Sequence, residues 1–427
     1  MTLKTIKQIQ RVKGELTFSG DKSVSHRAVI FAAMAEGESV IKNISHSADV
    51  ESSINCLKEL GAGFEKRGED LVVTGVGFKG FKKPEKDLDA GNSGTTARLL
   101  AGLLSAQDFE STLTGDDSLR TRPMERVANP LKKIGAKIEL TGNSLPMTVS
   151  KGKFKSAEIT LEVASAQVKS ALILAGLHLG RGKLTLIDPF ETRNHTEEML
   201  GIPREAHPSG KVMTVSKAYY PKPGEFTVPG DISSAMFFIV LTLIAGDTLR
   251  IKNLLLTPER TMAIEILKRM GGQIIVDREE TGNCGKSGDI FVKRSDLINI
   301  EIDPEEIPLI IDEIPALTIA GLFAEGGFQI KNAKELRVKE TDRISAIVKN
   351  LQFCGAGVAE YDDGFLLYGK DLDDFALFES YGDHRIAMAF SILAALLNQG
   401  GKVNESECVA VSNPAFYDQL DSISKKD

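Results

Sequence analysis

The hydrophobic and polar positions of this chain follow a pattern that repeats along the sequence. An apolar stretch of small residues ends at a glycine, a short strand follows, and a second, amphipathic stretch ends in Gly-Ala or Gly-Gly. Residues 19–43 and 229–253 share this pattern along their whole length. Such internal repetition is typical of folds built from one recurring supersecondary unit.

Six repeats can be recognised, at intervals of 68 to 81 residues. Their first, apolar helices are predicted to begin near Ser23, Thr95, Ser165, Ser233, Ile314 and Arg385. Each repeat also contains β-rich runs, such as residues 71–74, in which apolar and β-branched side chains dominate. The alternation of helices with strands predicts an α/β or α+β fold.

The second helices of four repeats are predicted over residues 50–60, 124–134, 260–270 and 341–353, each followed by a glycine suited to ending a helix. Repeat one matches repeat four best, so we expect two domains of three repeats each. A strand precedes each of these two repeats, and the chain is expected to cross between domains near Gly20 and Gly230. The predicted domains are residues 21–230, and residues 1–20 together with 231–427.

Charge and length narrow the possible functions. The 427 residues include 52 Lys and Arg against 59 Asp and Glu, so a general nucleic-acid or anionic-membrane binder is not expected. The longest apolar run, residues 235–245, is shorter than the ~20 residues of a membrane-spanning helix. The N-terminal residues lack the apolar core of a signal peptide. We therefore expect a cytoplasmic protein that meets any anionic ligand locally.

The cysteines and histidines show no metal-binding or disulfide pattern. The four cysteines include no CxxC pair, and the six histidines lack the spacing of metal ligands. Cys56 and Cys354 are predicted in helices, Cys284 in a hairpin and Cys408 in a strand. These features indicate a reducing compartment and give the cysteines no catalytic role.

A dinucleotide-type fingerprint occurs at Gly75–Gly80, but its context is wrong. Such a fingerprint needs a following helix whose N-terminus receives the pyrophosphate, and Pro84 with a Lys/Glu-rich stretch follows instead. A hairpin and loop explain these glycines better.

The start of each apolar helix is more informative. Polar residues suited to N-caps stand there, at residues 21–23, 92–96, 165–167, 231–234, 312–313 and 383–385. Capping alone could explain any one of these segments. Capping does not require the cations beside several of them, nor Gly94, which lets a ligand approach the backbone. Together these features indicate a cleft that binds anions.

Further cations lie in residues 118–124, 192–195 and 337–343. On a helix, Lys339, Glu340 and Arg343 would share one mixed-charge face. A solvated charged surface would account for that segment taken alone. In an acidic chain, however, arginines next to helix starts suggest bidentate recognition of phosphate or carboxylate groups.

Six segments, found in order over nearly the whole chain, resemble 5-enolpyruvylshikimate-3-phosphate (EPSP) synthases. They are residues 20–27, 91–95, 122–124, 165–167, 337–343 and 383–385. The resemblance implies two domains of three βαβαββ repeats each, the inside-out barrel of the enolpyruvyl transferases. It also implies a monomeric transferase of the shikimate pathway, which leads to chorismate and the aromatic amino acids.

In that family the enolpyruvyl group of phosphoenolpyruvate (PEP) moves to the 5-hydroxyl of shikimate 3-phosphate, and phosphate is released. No metal or organic cofactor is implied. The family pattern assigns shikimate 3-phosphate to Lys22, Ser23, Arg27, Ser165, Gln167, Arg193, Asp312 and Lys339. It assigns PEP to Lys22, Asn92, Gly94, Arg122, Gln167, Arg343 and Arg385.

The catalytic residues implied are Asp312 as general base, with Glu340 and Lys22 as proton donor and relay. The arginines would stabilise the carboxylate and phosphate charges. One position departs from many members of the family: Val411 stands where they have a lysine that contacts PEP.

Two other functions stay open at this point. UDP-N-acetylglucosamine enolpyruvyl transferases share the six-repeat fold, but they usually have Lys-Asn-Ala after the first strand and a catalytic loop cysteine. This chain has Lys22-Ser23-Val24 and no cysteine near Arg120. A non-catalytic anion-binding relative would be expected to have lost some of the catalytic residues, and none is missing here.

Overall fold

Two compact units divide the chain in the computed structural model, which describes residues 2–190, 192–369 and 371–424. The N-terminal unit comprises Gly20–Val228 and the hairpin tip Gly282–Gly285. The C-terminal unit comprises the chain before Gly20, Pro229–Thr281 and the chain from Lys286 onward.

The described residues form thirteen α-helices and twenty-two strands. The helices are α1 (Lys22–Met34), α2 (Ala48–Glu59), α3 (Gly94–Leu104), α4 (Glu125–Lys133), α5 (Ala166–Gly176), α6 (His195–Leu200), α7 (Ile232–Ala245), α8 (Pro258–Arg269), α9 (Ile307–Ile310), α10 (Ile314–Phe323), α11 (Arg343–Phe353), α12 (His384–Leu396) and α13 (Phe416–Ile423). The strands are β1 (Leu3–Ile6), β2 (Val12–Leu16), β3 (Glu36–Lys42), β4 (Gly63–Arg67), β5 (Asp70–Val76), β6 (Leu88–Asp89), β7 (Ser111–Thr114), β8 (Lys137–Thr141), β9 (Ser144–Ser150), β10 (Ala157–Thr160), β11 (Leu184–Asp188), β12 (Glu205–His207), β13 (Gly210–Val215), β14 (Glu225–Thr227), β15 (Gly246–Leu255), β16 (Gln273–Gly282), β17 (Gly285–Lys293), β18 (Phe328–Ile330), β19 (Gly357–Tyr361), β20 (Gly364–Gly369), β21 (Ala376–Glu379) and β22 (Gly401–Asn404).

Each unit contains three small sheets. In the N-terminal unit their strand orders are β14-β3-β5-β4, β6-β7-β9-β8 and β10-β11-β13-β12. In the C-terminal unit they are β16-β17-β15-β2, β18-β20-β19 and β1-β22-β21. The described strands thus form six sheets of three or four strands, and none of these sheets closes into a barrel.

The apolar helices lie inside each unit and the sheets lie around them. Residues 24–34 of α1 and 232–243 of α7 are all buried, and both segments consist mostly of apolar residues, as is typical of helices in an interior. The strands are buried on one face: in β9, Leu145, Met147 and Val149 are buried and their neighbours are not. This arrangement of helices inside and sheets outside agrees with the fold that the resemblance implied.

Close packing of α3 against α5 depends on a glycine. A Cβ on Gly102 would lie 2.1 Å from the carbonyl oxygen of Ala171, so only glycine permits this approach. The two helices therefore bring Arg98 and Gln167 within hydrogen-bond distance.

Strand pairing joins distant parts of the sequence in both units. Strand β2 pairs in parallel with β15, with Leu16 opposite Ile251. Strand β14 pairs in parallel with β3, with Thr227 opposite Lys42. The N-terminal strand thus completes a sheet of the second half, and the strand before Pro229 completes a sheet of the first.

The predicted helices are confirmed. All six apolar helices begin within one residue of the predicted position, and the four second helices agree with α2, α4, α8 and α11 to within two residues. The predicted strand at residues 71–74 lies inside β5. These elements have strong periodic patterns and clear end signals, which local sequence determines well.

The helical face considered for residues 339–343 does not form, and one local prediction is wrong. Lys339 and Glu340 do not share a helix with Arg343, because a 3₁₀-helix ends at Val338 and α11 begins only at Arg343, capped by Asp342. Cys408 lies in the 3₁₀-helix Ser406–Val411 rather than in a strand. The backbone of Glu405 has φ +50°, so the chain turns sharply after β22 and does not extend.

Candidate active site

Five of the six apolar helices begin at a residue whose side chain caps the helix. The caps Asp21, Ser93, Ser165, Asp231 and Asp383 each accept a backbone N–H from the first turn. The expected cap at the start of α10 is absent: Glu313 makes no such bond, and Pro315 in the first turn has no N–H to satisfy. Most of the predicted ligand residues lie next to these helix starts.

Lys22 and Ser23 are the first two residues of α1. The Lys22 ammonium lies 2.8 Å from the Asp49 carboxylate, and the two side chains are only 15% and 9% exposed. Asp49 stands in the first turn of α2. This ion pair holds the Lys22 cation at the start of α1.

Arg27 is buried one turn further along α1, in a network of hydroxyl groups. Its Nε donates to Thr196 Oγ1 at 2.7 Å, and its Nη2 donates to Ser170 Oγ at 2.8 Å. Its Nη1 donates to the carbonyl oxygen of Ser23 at 2.7 Å. Three partners on three elements therefore fix the guanidinium.

Ser165 and Arg193 lie close in sequence to the two helices, α5 and α6, that supply the hydroxyl partners of Arg27. Ser165 caps α5, with its Oγ 3.4 Å from the backbone N of Val168. Arg193 is half-buried and stands just before α6, the helix that carries Thr196.

Asn92 and Arg122 form a second polar group. Arg122 Nη2 donates to Asn92 Oδ1 at 2.6 Å, and Asn92 Nδ2 donates to Asp116 Oδ2 at 2.7 Å. Ser118 Oγ accepts a longer bond of 3.3 Å from Arg122. Arg122 is 6% exposed, so its orientation is set by these partners.

Gln167 faces the start of α3. Its Oε1 accepts from Arg98 Nη1 at 2.7 Å, and its Nε2 donates to Thr95 Oγ1 at 2.9 Å. Gly94 is the first residue of α3, and a Cβ there would lie 2.7 Å from Arg98 Nη1 and 3.6 Å from Arg122 Nη1. The space that the sequence assigned to an anion at Gly94 is therefore bordered by two guanidinium groups.

His26 lies beneath these helix starts in a buried chain of hydrogen bonds. Its Nδ1 is 2.8 Å from Ser53 Oγ, which is 2.7 Å from Thr96 Oγ1. Burial, together with the charges of Lys22 and Arg27, holds the pKa of His26 well below its ordinary value of 6.5. The histidine is thus a neutral structural residue near neutral pH.

In the C-terminal unit, Asp312 is surrounded by cations. Its Oδ1 lies 3.5 Å from Lys339 Nζ, 3.5 Å from Arg343 Nη1 and 3.9 Å from Arg385 Nε. The Asp312 carbonyl oxygen accepts a 2.9 Å hydrogen bond from Arg385 Nη1. The Asp312 side chain stays 19% exposed, so a ligand can reach it.

Arg343 is the most buried of these cations, with 1% of its side chain exposed. Its Nε donates to Asp383 Oδ2 at 2.7 Å, and its Nη2 lies 2.5 Å from Glu340 Oε2. Burial alone would lower the pKa of Arg343, but the charges of Asp383, Glu340 and Asp312 raise it above its ordinary value. The guanidinium is permanently charged and held rigidly.

Val411 is half-buried at the end of the 3₁₀-helix Ser406–Val411. It supplies no cation, so any charge at the PEP site has to come from other residues.

Several residues of these clusters were not predicted, among them three charged ones. Asp49 pairs with Lys22, Arg98 binds Gln167, and Asp383 pairs with Arg343 in addition to capping α12. The capping pattern was a signal for Asp383, and the position of Arg98 behind Asn92–Thr96 was a signal for Arg98. Nothing local marked Asp49, because its partner is 27 residues away.

No helix within residues 2–190, 192–369 and 371–424 has the length and apolar character of a membrane span. The same residues contain no group of three or more His, Cys, Asp or Glu side chains arranged to hold a metal ion. All four cysteines are free, and burial raises the pKa of the Cys56 thiol to about 12. An unreactive thiol agrees with the prediction that Cys56 has no catalytic role.

The chain is similar to known proteins along nearly its whole length. A family model described as EPSP synthase (3-phosphoshikimate 1-carboxyvinyltransferase) matches residues 6–420. The chain belongs to the EPSP synthase family. The resemblance inferred from its motifs is thereby confirmed, as is the prediction of a transferase of the shikimate pathway.

Individual EPSP synthases are similar to this chain along nearly its whole length. A 3-phosphoshikimate 1-carboxyvinyltransferase of Thermoanaerobacter sp. (strain X514) is 44% identical over 421 residues, covering 98% of this chain and 99% of that one. The structure of EPSP synthase from Acinetobacter baumannii has 37% identity and a TM-score of 0.85, covering 99% of this chain and 98% of that one.

The enolpyruvyl transferase NikO from Streptomyces tendae matches with a TM-score of 0.73 at 16% identity, covering 99% of this chain and 97% of that one. At this identity the similarity concerns the fold alone. The family model and the two EPSP synthases support the EPSP synthase function over the two alternative functions.

Proposed function

We propose that this chain catalyses the EPSP synthase reaction, in which PEP and shikimate 3-phosphate yield the enolpyruvyl ether and phosphate, and that the polar clusters described in each unit bind these substrates. The observation that carries the proposal is the Asp312 cluster, in which one partly exposed carboxylate lies within 4 Å of three cations. A carboxylate that can take a proton, surrounded by groups that bind anions, suits a reaction between two anionic substrates.

Shikimate 3-phosphate is assigned to residues whose side chains are hydroxyl, amide or cationic groups. In the N-terminal unit these are Lys22, Ser23, Arg27, Ser165, Gln167 and Arg193; in the C-terminal unit they are Asp312 and Lys339. The start of α5 supplies backbone N–H groups and a partial positive charge, which favour a phosphate. Arg27 and Gln167 are held by neighbouring side chains, so little ordering is required when the ligand binds.

PEP is assigned to Lys22, Asn92, Gly94, Arg122, Gln167, Arg343 and Arg385. The guanidinium groups of this set suit bidentate binding of the PEP carboxylate and phosphate. Because Arg122 and Arg343 are nearly buried and hydrogen-bonded, they present their charge in fixed directions. Such preorganised charge stabilises a transition state better than mobile side chains do.

The chemistry proceeds by addition and elimination. Addition protonates the methylene carbon of PEP, and the 5-hydroxyl of shikimate 3-phosphate loses its proton as its oxygen attacks C2. Elimination then breaks the bond from C2 to the phosphate oxygen and removes one proton from the new methyl group. Asp312 accepts the hydroxyl proton, while Glu340 and Lys22 serve as proton donor and relay.

The proposed domains are residues 21–230, and residues 1–20 with 231–427, each containing three repeats.

The protein acts as a monomer in the cytoplasm, where its four free cysteines would stay reduced. Light scattering after gel filtration tests the oligomeric state, and a mass near 46.3 kDa is expected. A mass twice as large would contradict it.

Phosphate release from PEP tests the function directly. We expect release in the presence of shikimate 3-phosphate and none with UDP-N-acetylglucosamine. Release with the nucleotide sugar alone would overturn the proposal in favour of the sister enzyme. No release with either acceptor would favour a non-catalytic relative.

A further inference from the structure

A fully buried ionic cluster lies beneath the α5 helix start in the N-terminal unit. The Lys169 ammonium is 2.8 Å from Asp188 Oδ2, 2.8 Å from Glu197 Oε1 and 2.9 Å from the carbonyl oxygen of Thr192. The side chains of Lys169, Asp188 and Glu197 are 1%, 0% and 1% exposed. The three charges contact one another, and none of the three residues is among those assigned to a substrate.

Stability alone gives no general reason for a buried ionic cluster. Charges lose their hydration when buried, and apolar side chains of similar volume are often as stabilising as a buried ion pair. This cluster also contains two carboxylates for one ammonium, which an apolar interior would not favour. Its contacts therefore point to a role in fixing the neighbouring chain segments.

The cluster joins the elements that carry the proposed shikimate 3-phosphate ligands. Lys169 lies one turn after the Ser165 cap and two residues after Gln167 on α5. Its neighbour Ser170 accepts a hydrogen bond from Arg27 on α1. Glu197 follows Thr196, which also accepts from Arg27.

Asp188 organises the segment that leads to Arg193. Its carboxylate accepts the backbone N–H of Phe190 at 3.1 Å and that of Thr192 at 3.0 Å. It also accepts the Thr192 hydroxyl at 2.8 Å. With the bond from Lys169 to the Thr192 carbonyl, the backbone N–H and C=O groups of Thr192, directly before Arg193, are both bound to the cluster.

We propose that Lys169, Asp188 and Glu197 are positioning residues for shikimate 3-phosphate. They fix α5, the segment before Arg193 and α6 relative to one another, so that Ser165, Arg27 and Arg193 converge on one ligand. The proposal rests on the assignment of shikimate 3-phosphate to these residues. It predicts that loosening the cluster weakens binding of shikimate 3-phosphate and leaves PEP nearly unaffected.

Lys169→Met tests the proposal in the full-length enzyme. We expect the KM for shikimate 3-phosphate to rise by about 10-fold or more, since small misplacements of binding groups are costly, while the KM for PEP changes less than about twofold. Thr192→Val removes a single hydroxyl bond to Asp188, so it should fold normally and give a smaller rise, of about threefold. Lys133→Met is the control, because Lys133 pairs with Glu162 on the surface of the same unit.

A second variant separates positioning from charge balance. Lys169→Met/Glu197→Gln removes one carboxylate along with the ammonium, so its melting temperature should recover toward that of the wild type. The KM for shikimate 3-phosphate should stay raised, because the ties to Thr192 and α6 remain broken. Full recovery of that KM would show that only charge balance matters, and would overturn the proposal.

Arg27→Met distinguishes this proposal from the site assignment on which it depends. Calorimetric titration of shikimate 3-phosphate should show weaker binding to Arg27→Met and to Lys169→Met. Weaker binding to Arg27→Met only, with wild-type affinity in folded Lys169→Met and Thr192→Val, would overturn the positioning role alone. Unchanged affinity in Arg27→Met would overturn the ligand assignment and the positioning role together.

Discussion

Arg385 binds Asp312 through both the backbone and the side chain. Its Nη1 donates to the Asp312 carbonyl oxygen at 2.9 Å, and its Nε lies 3.9 Å from Asp312 Oδ1. The two residues are 73 positions apart in the sequence. A proposed PEP ligand thus holds the turn that carries the proposed general base, so binding and proton transfer are structurally linked.

Asp312→Asn should cut turnover by about 10² to 10⁴, the usual range for loss of a general base. The asparagine Oδ1 can still accept from Lys339 and Arg343, and the backbone bond to Arg385 is unchanged, so both substrates should bind nearly as before. Steady-state phosphate release measures this. Asp362→Asn, on the surface of the same unit, serves as control. Turnover near that of the wild type would remove Asp312 from the mechanism.

Arg343→Met should lower the free energy of unfolding by about 3 to 5 kcal/mol, because it leaves the fully buried Asp383 carboxylate without its cation. Arg269→Met is the matched control: Arg269 pairs with Glu306 at 2.7 Å but is 43% exposed, so its loss should cost less than about 1 kcal/mol. Urea denaturation of both variants measures the difference. An equal loss of unfolding free energy in the two variants would mean that burial of the Arg343 ion pair does not add to its contribution to stability.

Gly94→Ala should weaken PEP binding by roughly 1 to 3 kcal/mol, the range for overpacking a filled site. The new methyl would lie 2.7 Å from Arg98 Nη1, so the Arg98 guanidinium has to move and its bond to Gln167 is strained. Binding of shikimate 3-phosphate should change less. Glyphosate, a longer PEP mimic, should lose more affinity than PEP. Steady-state titrations test this, and unchanged values for PEP and glyphosate would place Gly94 outside the site.

His26→Gln should make stability less dependent on pH between about 5 and 7. The folded protein holds His26 neutral, whereas the unfolded chain binds a proton near the ordinary pKa of 6.5, so wild-type stability falls as the pH drops below that value. The groups that act on His26 are Lys22 and Arg27, which disfavour its protonation, and Asp21, which favours it. Melting temperatures measured across this range should converge with those of the variant at low pH. Parallel curves would exclude His26 as the source.

The sequence by itself determined the local structure and the chemistry of this protein. Apolar helices, their end signals and the repeat from Ser23 onward depend on residues close together in the chain, and these predictions agree with the helices observed. The cations next to helix starts were visible for the same reason. In residues 337–343 the charge pattern would place Lys339, Glu340 and Arg343 on one helical face, but capping by Asp342 begins α11 at Arg343, close to the predicted start.

Only the tertiary structure decided which side chains are partners. Asp49 with Lys22, Arg27 with Thr196, and Asp188 with Lys169 are brought together by packing between elements that are distant in the sequence. Periodicity shows which face of a helix is buried, but it does not show which helix covers that face. The buried ion pairs therefore had no local signal, since their geometry follows from the way in which the repeats pack within each unit.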